Sequence, residues 1–236
     1  MAILIMLVAA SFISLGNFFM RRSIDIGGSS RLFVFVQMLF SLMIAILFNP
    51  VRTGWFMWSN FIGFIGIFGG VCFGIMMLML GKALERGPAS MTFAMLNSAT
   101  IVPSILMAAL FGSAFGHDYT PWHFVGSFFV VLGLFCSVSG ADRARGRHWG
   151  LFALCAFAMN CIMLFTVQWR SIIIKDFLPL NMLVPFHCDI STAQWFLPLI
   201  FAGSVVINGV HYMRYRRIKK SDHSWKEVVY GACGGL

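Results

Sequence analysis

Long apolar blocks alternate with short polar or basic segments along almost the whole chain. A helix of about 20 residues crosses about 30 Å of hydrocarbon, so uncharged blocks of this length predict membrane spans rather than buried strands. The pattern predicts seven complete spans and the start of an eighth near Val228. The seven cover approximately residues 2–20, 32–48, 55–80, 91–111, 122–139, 149–169 and 192–213.

The segment 172–190 does not fit this simple pattern. It is apolar, but Lys175, Asp176, Pro179 and Pro185 interrupt it. We interpret it as an interfacial or re-entrant connection, with a further span as the alternative. The second predicted span is expected to stop at Asn49-Pro50, because this dipeptide is a turn signal.

Composition supports the membrane interpretation. Hydrophobic residues make up 59% of the 236 residues and charged residues only 11%, whereas a soluble domain carries about 25% charged residues. The net charge of +9 would indicate nucleic-acid binding only if the basic residues shared one surface. They lie instead in short clusters between apolar blocks, so we predict a lipid bilayer as the environment and no nucleic acid as a partner.

The basic clusters also predict an orientation. Of the 17 basic residues, all but Arg52, Arg170 and Lys175 lie in the odd-numbered connections. The positive-inside rule then places these connections in the cytoplasm and the N-terminus outside. The N-terminus lacks a basic region before its first apolar block, which predicts a retained helix rather than a signal peptide. We expect a multi-pass protein of the cell (inner) membrane.

Two predicted helices carry glycines at packing intervals. GxxxG spacing lets two helix backbones approach closely, so these faces predict helix–helix contacts within one chain or in a homodimer. The alternative is a smooth face along which helices slide during a transport cycle. The glycines are Gly63, Gly66, Gly70 and Gly74 in the third span, and Gly126, Gly133 and Gly140 in the fifth.

Tryptophans and cysteines fit a membrane setting as well. The tryptophans near span ends are predicted to anchor the helices at the membrane interface. The six cysteines show no CxxC spacing, and five of them fall in predicted spans, so we expect free thiols. The predicted anchors are Trp55, Trp58, Trp122, Trp149 and Trp169.

One stretch resembles a known family. From Gly81 to Leu96 the chain reads GKALERGPASMTFAML, and Pro103 follows within the next apolar block. This resembles the connection between helices 3 and 4 in the EamA-like branch of the drug/metabolite transporter superfamily. The stretch 126–135, GSFFVVLGLF, is similar to helix 5 of that family. The family usually has a glutamate near the start of this helix, where this chain reads Gly116-His117-Asp118.

The resemblance implies an architecture. Family members are all-α bundles of two five-helix repeats, which here implies a first repeat over 1–140, a basic connecting loop over 141–148 and an incomplete second repeat over 149–236. Short echoes agree with a duplication: Arg22-Ser23-Ile24 matches Arg170-Ser171-Ile172, and Trp58 before Gly69-Gly70 matches Trp225 before Gly234-Gly235. The missing helices would make the chain a C-terminally truncated transporter.

Candidate site residues come from the polar positions. None of the eight acidic residues lies in the middle of a predicted span, which argues against coupling through a buried carboxylate. Neutral amides and hydroxyls within spans require a partner, either another helix or a solute in a wet cavity. Interhelical hydrogen bonding is the commoner role for any single one. The predicted substrate-binding residues are Asn17, Gln37, Asn97, Ser98 and Asn160.

Within this set, position favours two pairs. Asn97 and Ser98 lie one turn or more before Pro103, which frees a backbone carbonyl that polar groups can approach. Asn17 and Asn160 lie at matching places in the first and sixth spans. His187-Cys188-Asp189 contains possible metal ligands, but adjacent side chains seldom point at one ion, so no metal and no cofactor is predicted.

The resemblance and the span pattern together predict a secondary transporter that moves a small metabolite or drug-like solute by alternating access, and not an enzyme. Two alternatives stay open at this point. A membrane-embedded lipid-modifying enzyme would use His117, Asp118 and His123, the one cluster of such groups in the sequence. A non-transporting helical remnant of a truncated transporter is the other.

Overall fold

The computed structural model describes residues 2–111, 120–145, 148–174, 192–218 and 225–235, and within these ranges it is helical with short connections and no strand. A π-helical turn, Leu47–Val51, extends the second helix, and a 3₁₀ turn, Thr192–Trp195, precedes the eighth. The helices are α1 Ala2–Asp25, α2 Ser30–Ile46, α3 Asn60–Arg86, α4 Ala89–Ser98, α5 Ile101–Phe111, α6 Pro121–Arg145, α7 His148–Ile174, α8 Phe196–Ile218 and α9 Trp225–Gly235.

Five helical stretches are long and apolar enough to cross a membrane: Ser30–Val51, Asn60–Arg86, Ala89–Ala109, His148–Arg170 and Thr192–Arg216. Large apolar side chains on these helices face outward, among them Phe64 at 71% and Val206 at 62% exposure. Such a surface is stable in lipid and not in water. The predicted all-α membrane protein is thus confirmed in outline. Helices α1 and α6 form but are not among the five, so seven spans stay a prediction.

Helix boundaries follow local chemistry more closely than the hydropathy pattern does. The Ser29 hydroxyl accepts the N–H of Arg31 at the start of α2, as expected of an N-cap residue. At the other end the predicted stop at Asn49-Pro50 is wrong, because the chain stays helical through Val51. The Asn49 side-chain amide donates to the Ala45 carbonyl at 2.8 Å, which supplies a partner where the helical ladder is disturbed.

Helix α3 lies at the centre and packs its glycine face on α8. A Cβ added at Gly66 would lie 2.9 Å from Leu199 Cβ and 3.4 Å from the Phe196 oxygen. A Cβ added at Gly70 would lie 3.0 Å from the Ile200 Cα. The predicted close approach of α3 is therefore present, and it is made within the chain.

A second glycine contact joins α9 to α2. A Cβ added at Gly231 would lie 2.9 Å from Val36 Cβ and 3.0 Å from the Phe33 oxygen. One added at Gly235 would lie 2.6 Å from the Gln37 oxygen. In both crossings the two glycines are four residues apart, and they contact residues i, i+3 and i+4 of the neighbouring helix. These residues are Phe196, Leu199 and Ile200 of α8 in the first crossing, and Phe33, Val36 and Gln37 of α2 in the second. Helix α3 also packs on α7, and α9 on α1, while α2 packs on α8.

Two glycines of α6 lack the close helix contact that the glycines of α3 and α9 make in the described part of the chain. A Cβ added at Gly126 or at Gly133 would meet no described atom within 4 Å. Within the described part of the chain these two positions therefore make no close contact with another helix, and a contact between two chains stays a prediction. The surroundings of Gly140 lie outside what the structure describes.

The bundle has two chemically different ends. At one end Arg21 Nη1 donates to the Leu84 carbonyl at 3.0 Å, and the Arg31 guanidinium lies 4.0 Å from the centre of the Tyr215 ring. The ends of α1, α3 and α8 thus meet the start of α2, and we call this the basic end. Most of the described basic side chains belong to the helix ends that meet here: Arg21, Arg22, Arg31, Lys82, Arg86, Arg214, Arg216 and Lys226.

The opposite end is aromatic. The Trp58 and Trp195 rings lie 6.0 Å apart in a T-shaped arrangement, and the Arg170 guanidinium lies 5.0 Å from the centre of the Phe196 ring. This end joins the start of α3, the start of α8 and the end of α7. The unequal division of basic side chains follows the split that the sequence predicted.

Two further expectations differ from the structure. Trp149 is not an interface anchor: it is 2% exposed, and its Nε1 donates to Thr92 Oγ1 at 3.0 Å. Its ring lies where a side chain on Gly87 would be, so glycine at the end of α3 makes room for it. Helix α6 also continues through Arg145 into the predicted loop 141–148, because Ala-Asp-Arg-Ala-Arg contains no residue that ends a helix.

Candidate functional site

A cavity of about 630 Å³ lies between the helices. It is lined by the middle of α1, the second half of α2, the middle of α3, the end of α4, the middle of α7, the start of α8 and the end of α9. Its lining residues are Phe12, Ile13, Gly16, Asn17, Gln37, Met38, Ser41, Ile44, Ala45, Phe48, Asn49, Phe73, Met76, Met77, Leu80, Leu96, Asn97, Asn160, Met163, Leu197, Phe201, Gly234 and Gly235.

The cavity is closed toward the basic end by apolar packing. Met20, Phe33 and Leu84 are at most 1% exposed, and they belong to one cluster with Leu80 and Met77, which border the cavity. Beyond this cluster lie the polar contacts of the basic end. The site therefore extends from the centre of the bundle toward the aromatic end, where Phe48 and Asn49 complete its wall.

A broken helix forms one side of the site. Helix α4 ends at Ser98 and α5 begins at Ile101. The break between them, at residues 99 and 100, lies about one turn before Pro103. Proline lacks the N–H that would otherwise reach the carbonyl four residues earlier. Side chains of α7 compensate: Cys161 Sγ contacts the Ala99 oxygen at 3.7 Å.

A second α7 side chain compensates at Leu96. Asn160 Nδ2 donates to the Leu96 carbonyl at 2.9 Å, and both residues line the cavity. The predicted distortion at Pro103 is thus present, and its exposed backbone faces α7.

Two side chains of α2 donate hydrogen bonds to backbone carbonyls of α9. Gln37 Nε2 donates to the Gly234 carbonyl at 2.9 Å, and the Ser41 hydroxyl donates to the Gly235 carbonyl at 3.2 Å. Both carbonyls belong to α9 and lie against α2. The glycines bring α9 against α2 because they have no side chain to hold the two helices apart.

The structure brings four of the five predicted site residues together. Asn17, Gln37, Asn97 and Asn160 line the same cavity, although they come from four different helices. Ser98 does not: its hydroxyl donates to the Ala94 carbonyl at 2.8 Å, one turn back in its own helix. The functional role of all five stays a prediction.

Sequence reasoning missed other lining residues. The dipeptide Asn49-Pro50 is a turn signal, so the helical position of Asn49 is not recognisable from the sequence. Ser41 was not distinguished from other hydroxyls within spans. The four methionines of the wall, Met38, Met76, Met77 and Met163, are typical of adaptable apolar surfaces, and this composition was the available signal.

Acidic side chains lie away from the cavity in the described ranges. Asp25 pairs with Arg21 at 3.0 Å, and Glu85 accepts a hydrogen bond from Ser30, both at the basic end. Glu227 lies against Gly28 at the same end. No described carboxylate therefore borders the cavity.

Most residues of the lipid-enzyme and metal-site interpretations lie outside the part of the chain that the structure describes. His117 and Asp118 fall outside the described residues, as do His187, Cys188 and Asp189. His123 Nδ1 lies 2.8 Å from Thr120 Oγ1 and accepts the Thr120 N–H at 3.1 Å, which is a local contact at the start of α6. Within the described ranges no three His, Cys, Asp or Glu side chains are grouped to hold a metal ion.

No protein-family model matches the chain, and no curated protein or solved structure matches it significantly. The functional argument therefore rests on the geometry of the bundle and its cavity.

Proposed function

We propose that the chain is a secondary membrane transporter that moves a small metabolite or drug-like solute by alternating access. The cavity carries this proposal. It is large enough for a small organic molecule, it reaches the centre of the bundle between apolar helices, and amide groups from four helices converge on it. Polar groups buried at the bilayer midplane are costly unless they serve a partner or a solute.

The helix contacts support an internal repeat of the kind common in transporters. The crossing of α3 on α8 has its counterpart in the crossing of α9 on α2, with matching glycine spacing in both. The contact of α3 with α7 has its counterpart in that of α9 with α1. This pairing relates α1, α2 and α3 to α7, α8 and α9, in the order that a first repeat over 1–140 and a second over 149–236 require.

The direction of the helices supports an inverted repeat, in which α7, α8 and α9 run opposite to α1, α2 and α3. Helix α2 starts at the basic end, whereas α8 finishes there, and α1 and α7 are opposed in the same way. Inverted repeats place the substrate site near the interface of the two halves. The cavity meets this requirement, since α1, α2 and α3 form one part of its wall and α7, α8 and α9 another.

The basic end supports a cytoplasmic assignment under the positive-inside rule. With seven spans, the N-terminus would lie outside and the cavity would face away from the cytoplasm in this conformation. We assign the protein to the cell (inner) membrane on the same argument. If a homodimer forms through a glycine face, we expect it on α6, because α3 uses its glycines within the chain.

Of the three residues of the lipid-enzyme alternative, the structure describes His123, whose Nδ1 lies 2.8 Å from Thr120 Oγ1. A non-transporting remnant differs from a transporter in function rather than in the packing described here. Flux separates them directly, so the decisive experiment is transport in sealed proteoliposomes.

In that experiment, purified protein is reconstituted and the uptake of a panel of radiolabelled small metabolites is measured with wild type, Asn97→Ala and Ser98→Ala. The two positions are adjacent, but only Asn97 lines the cavity. Loss of one hydrogen bond to a solute lowers its flux at low concentration by about tenfold in Asn97→Ala. Ser98→Ala retains wild-type flux. Absence of flux for every solute, or equal effects of both substitutions, would count against the proposal.

A further inference from the structure

The cavity wall carries no formal charge. Its polar side chains are five amides and one hydroxyl, and every other lining residue is a glycine or is apolar. Four phenylalanines and four methionines supply much of the apolar surface. No ionisable side chain of the described residues reaches the wall. The polar members are Asn17, Gln37, Ser41, Asn49, Asn97 and Asn160.

The Gln37 amide is oriented by its own hydrogen bond. A backbone carbonyl only accepts, so the atom facing the Gly234 carbonyl must be the amide nitrogen. The Gln37 Oε1 then points away from that carbonyl, and this buried oxygen has no hydrogen-bond partner among the described residues. A buried acceptor without a partner is costly, and a bound donor would relieve that cost.

Three other polar side chains follow the same arrangement. The amide nitrogens of Asn160 and Asn49 lie against the carbonyls of Leu96 and Ala45, and the Ser41 hydroxyl donates to a carbonyl of α9. Each holds a donor against a helix carbonyl. Their oxygens accept no hydrogen bond from the part of the chain that the structure describes. Each of the three held amides keeps one further N–H, whereas each free oxygen has two lone pairs, so acceptor positions outnumber donors at the fixed groups of the site.

Asn17 and Asn97 add adaptable groups to this set. Neither side chain makes a hydrogen bond with any described residue, and both line the cavity. An amide that is free to rotate can present either its oxygen or its nitrogen to a ligand. These two residues can therefore adjust to the ligand, whereas Gln37, Asn49 and Asn160 are held by their helix contacts.

An ion entering such a site would lose its hydration without meeting an opposite charge. The effective penalty for burying an unpaired ion in a protein is large. An anion is the worst case, because it needs several donors and the fixed groups offer one N–H from each amide against a larger number of acceptor lone pairs. A cation would gain contacts with amide oxygens and aromatic faces, which offset only part of its lost hydration.

We infer that the cavity selects an uncharged organic molecule with an aromatic or apolar body and at least two N–H or O–H donors, and that it rejects anions. This inference names the solute class for the transport site proposed above and rests on that site being the binding site. Binding depends on the wall alone, so it can be measured without a membrane gradient.

The test compares four probes of one skeleton. Para-hydroxyphenylacetamide is neutral with donors, para-hydroxyphenylacetate is its anionic counterpart and tyramine its cationic one. The fourth, para-methoxy-N,N-dimethylphenylacetamide, is neutral but has no donor. Dissociation constants are measured by equilibrium dialysis of the wild-type protein in detergent micelles at neutral pH.

The neutral donor should bind most tightly. We expect the donor-free amide to bind about tenfold more weakly, from the loss of hydrogen bonds. Tyramine should bind at least about tenfold more weakly, and the anion about a hundredfold more weakly. Equal or tighter binding of either ion, or no binding of the neutral donor, overturns the inference.

A charge introduced into the cavity wall by substitution provides a second test of the inference. Asn97→Asp places a carboxylate where no described side chain is hydrogen-bonded, so it should raise tyramine affinity about tenfold relative to the neutral probe. Ser98→Asp, one residue away and outside the wall, should leave the order of probes unchanged. An unchanged preference in Asn97→Asp contradicts the inference. The predicted binding order without flux in proteoliposomes would reject the transport proposal while leaving the inferred ligand class intact.

Discussion

The closest approach of α3 to α8 makes a specific prediction for Gly70→Ala. A Cβ at this position would lie 3.0 Å from the Cα and carbonyl carbon of Ile200 and nearer still to its oxygen, whereas ordinary contacts are 3.4–4 Å. These are main-chain atoms within a helix, so they cannot rotate away as a side-chain tip would. The two helices must separate, which also loosens the neighbouring contacts of Gly66 and Gly74 with α8.

The magnitude follows from two opposing effects. Overpacking a close-packed interior costs about 1–3 kcal/mol, and the upper half of this range applies when main-chain atoms are in the way. Alanine regains about 1 kcal/mol through its higher helix propensity than glycine. We therefore expect Gly70→Ala to lower the free energy of unfolding by about 1–2 kcal/mol.

The assay is reversible unfolding in mixed detergent micelles, followed by helical circular dichroism. Gly126→Ala is the matched control, because it makes the same substitution within a helix but meets no described atom within 4 Å. It should be neutral or stabilising by up to about 1 kcal/mol. If Gly70→Ala is as stable as Gly126→Ala, the close contact of α3 with α8 is not present and the central packing described above is wrong.

Three further predictions use the same assay. Gly235→Ala should destabilise about as much as Gly70→Ala, by about 1–2 kcal/mol, because it meets the α2 main chain in the equivalent way; a neutral result would argue against matched crossings. Trp149→Ala should cost about 3–5 kcal/mol, whereas Trp122→Ala, at a side chain 79% exposed, should have little effect, and equal effects would place Trp149 at the surface. Asn160→Ala removes one of two hydrogen bonds to the Leu96 carbonyl, which keeps the Ala99 N–H, and should cost about 0.5–1.5 kcal/mol; an unchanged midpoint would mean that the hydrogen bond is not made.

Hydropathy and glycine spacing predicted the main features of the bundle. The all-helical class and the apolar spans follow from block length, because only a satisfied helical backbone suits such segments in lipid. The GxxxG face of α3 correctly predicted a close contact. The same spacing at Gly126 has no close neighbour within the described part of the chain, because a smooth face permits close packing but does not by itself supply a neighbour.

Boundaries and side-chain environments were less predictable. Pro50 signals a turn locally, yet the segment stays helical through Val51, and the Asn49 amide donates to the Ala45 carbonyl there. Trp149 lies at a span end, where sequence alone cannot distinguish a ring at the membrane interface from one that fills the space left by Gly87. Both outcomes depend on tertiary neighbours, which no local pattern specifies.

The candidate site could also be predicted from the sequence only in part. Proline chemistry correctly directed attention to the region before Pro103, and Asn97 lies in the cavity wall. Ser98 does not, because one step along a helix turns a side chain by about a quarter of a turn and Ser98 bonds to its own helix. The convergence of Gln37 with the end of α9 could not be predicted, since it joins residues that are distant in sequence.

Cysteine accessibility tests the central claim most directly. A chain with its native cysteines replaced by alanine carries Asn97→Cys, with Ser98→Cys as the matched control, and a membrane-impermeant thiol reagent is applied to either side of sealed vesicles. Alternating access predicts that Asn97→Cys is labelled from both sides, in a ratio that a bound solute changes, while labelling of Ser98→Cys does not respond to solute. Labelling of Asn97→Cys from one side alone under all conditions, or from neither, would contradict a transport cavity.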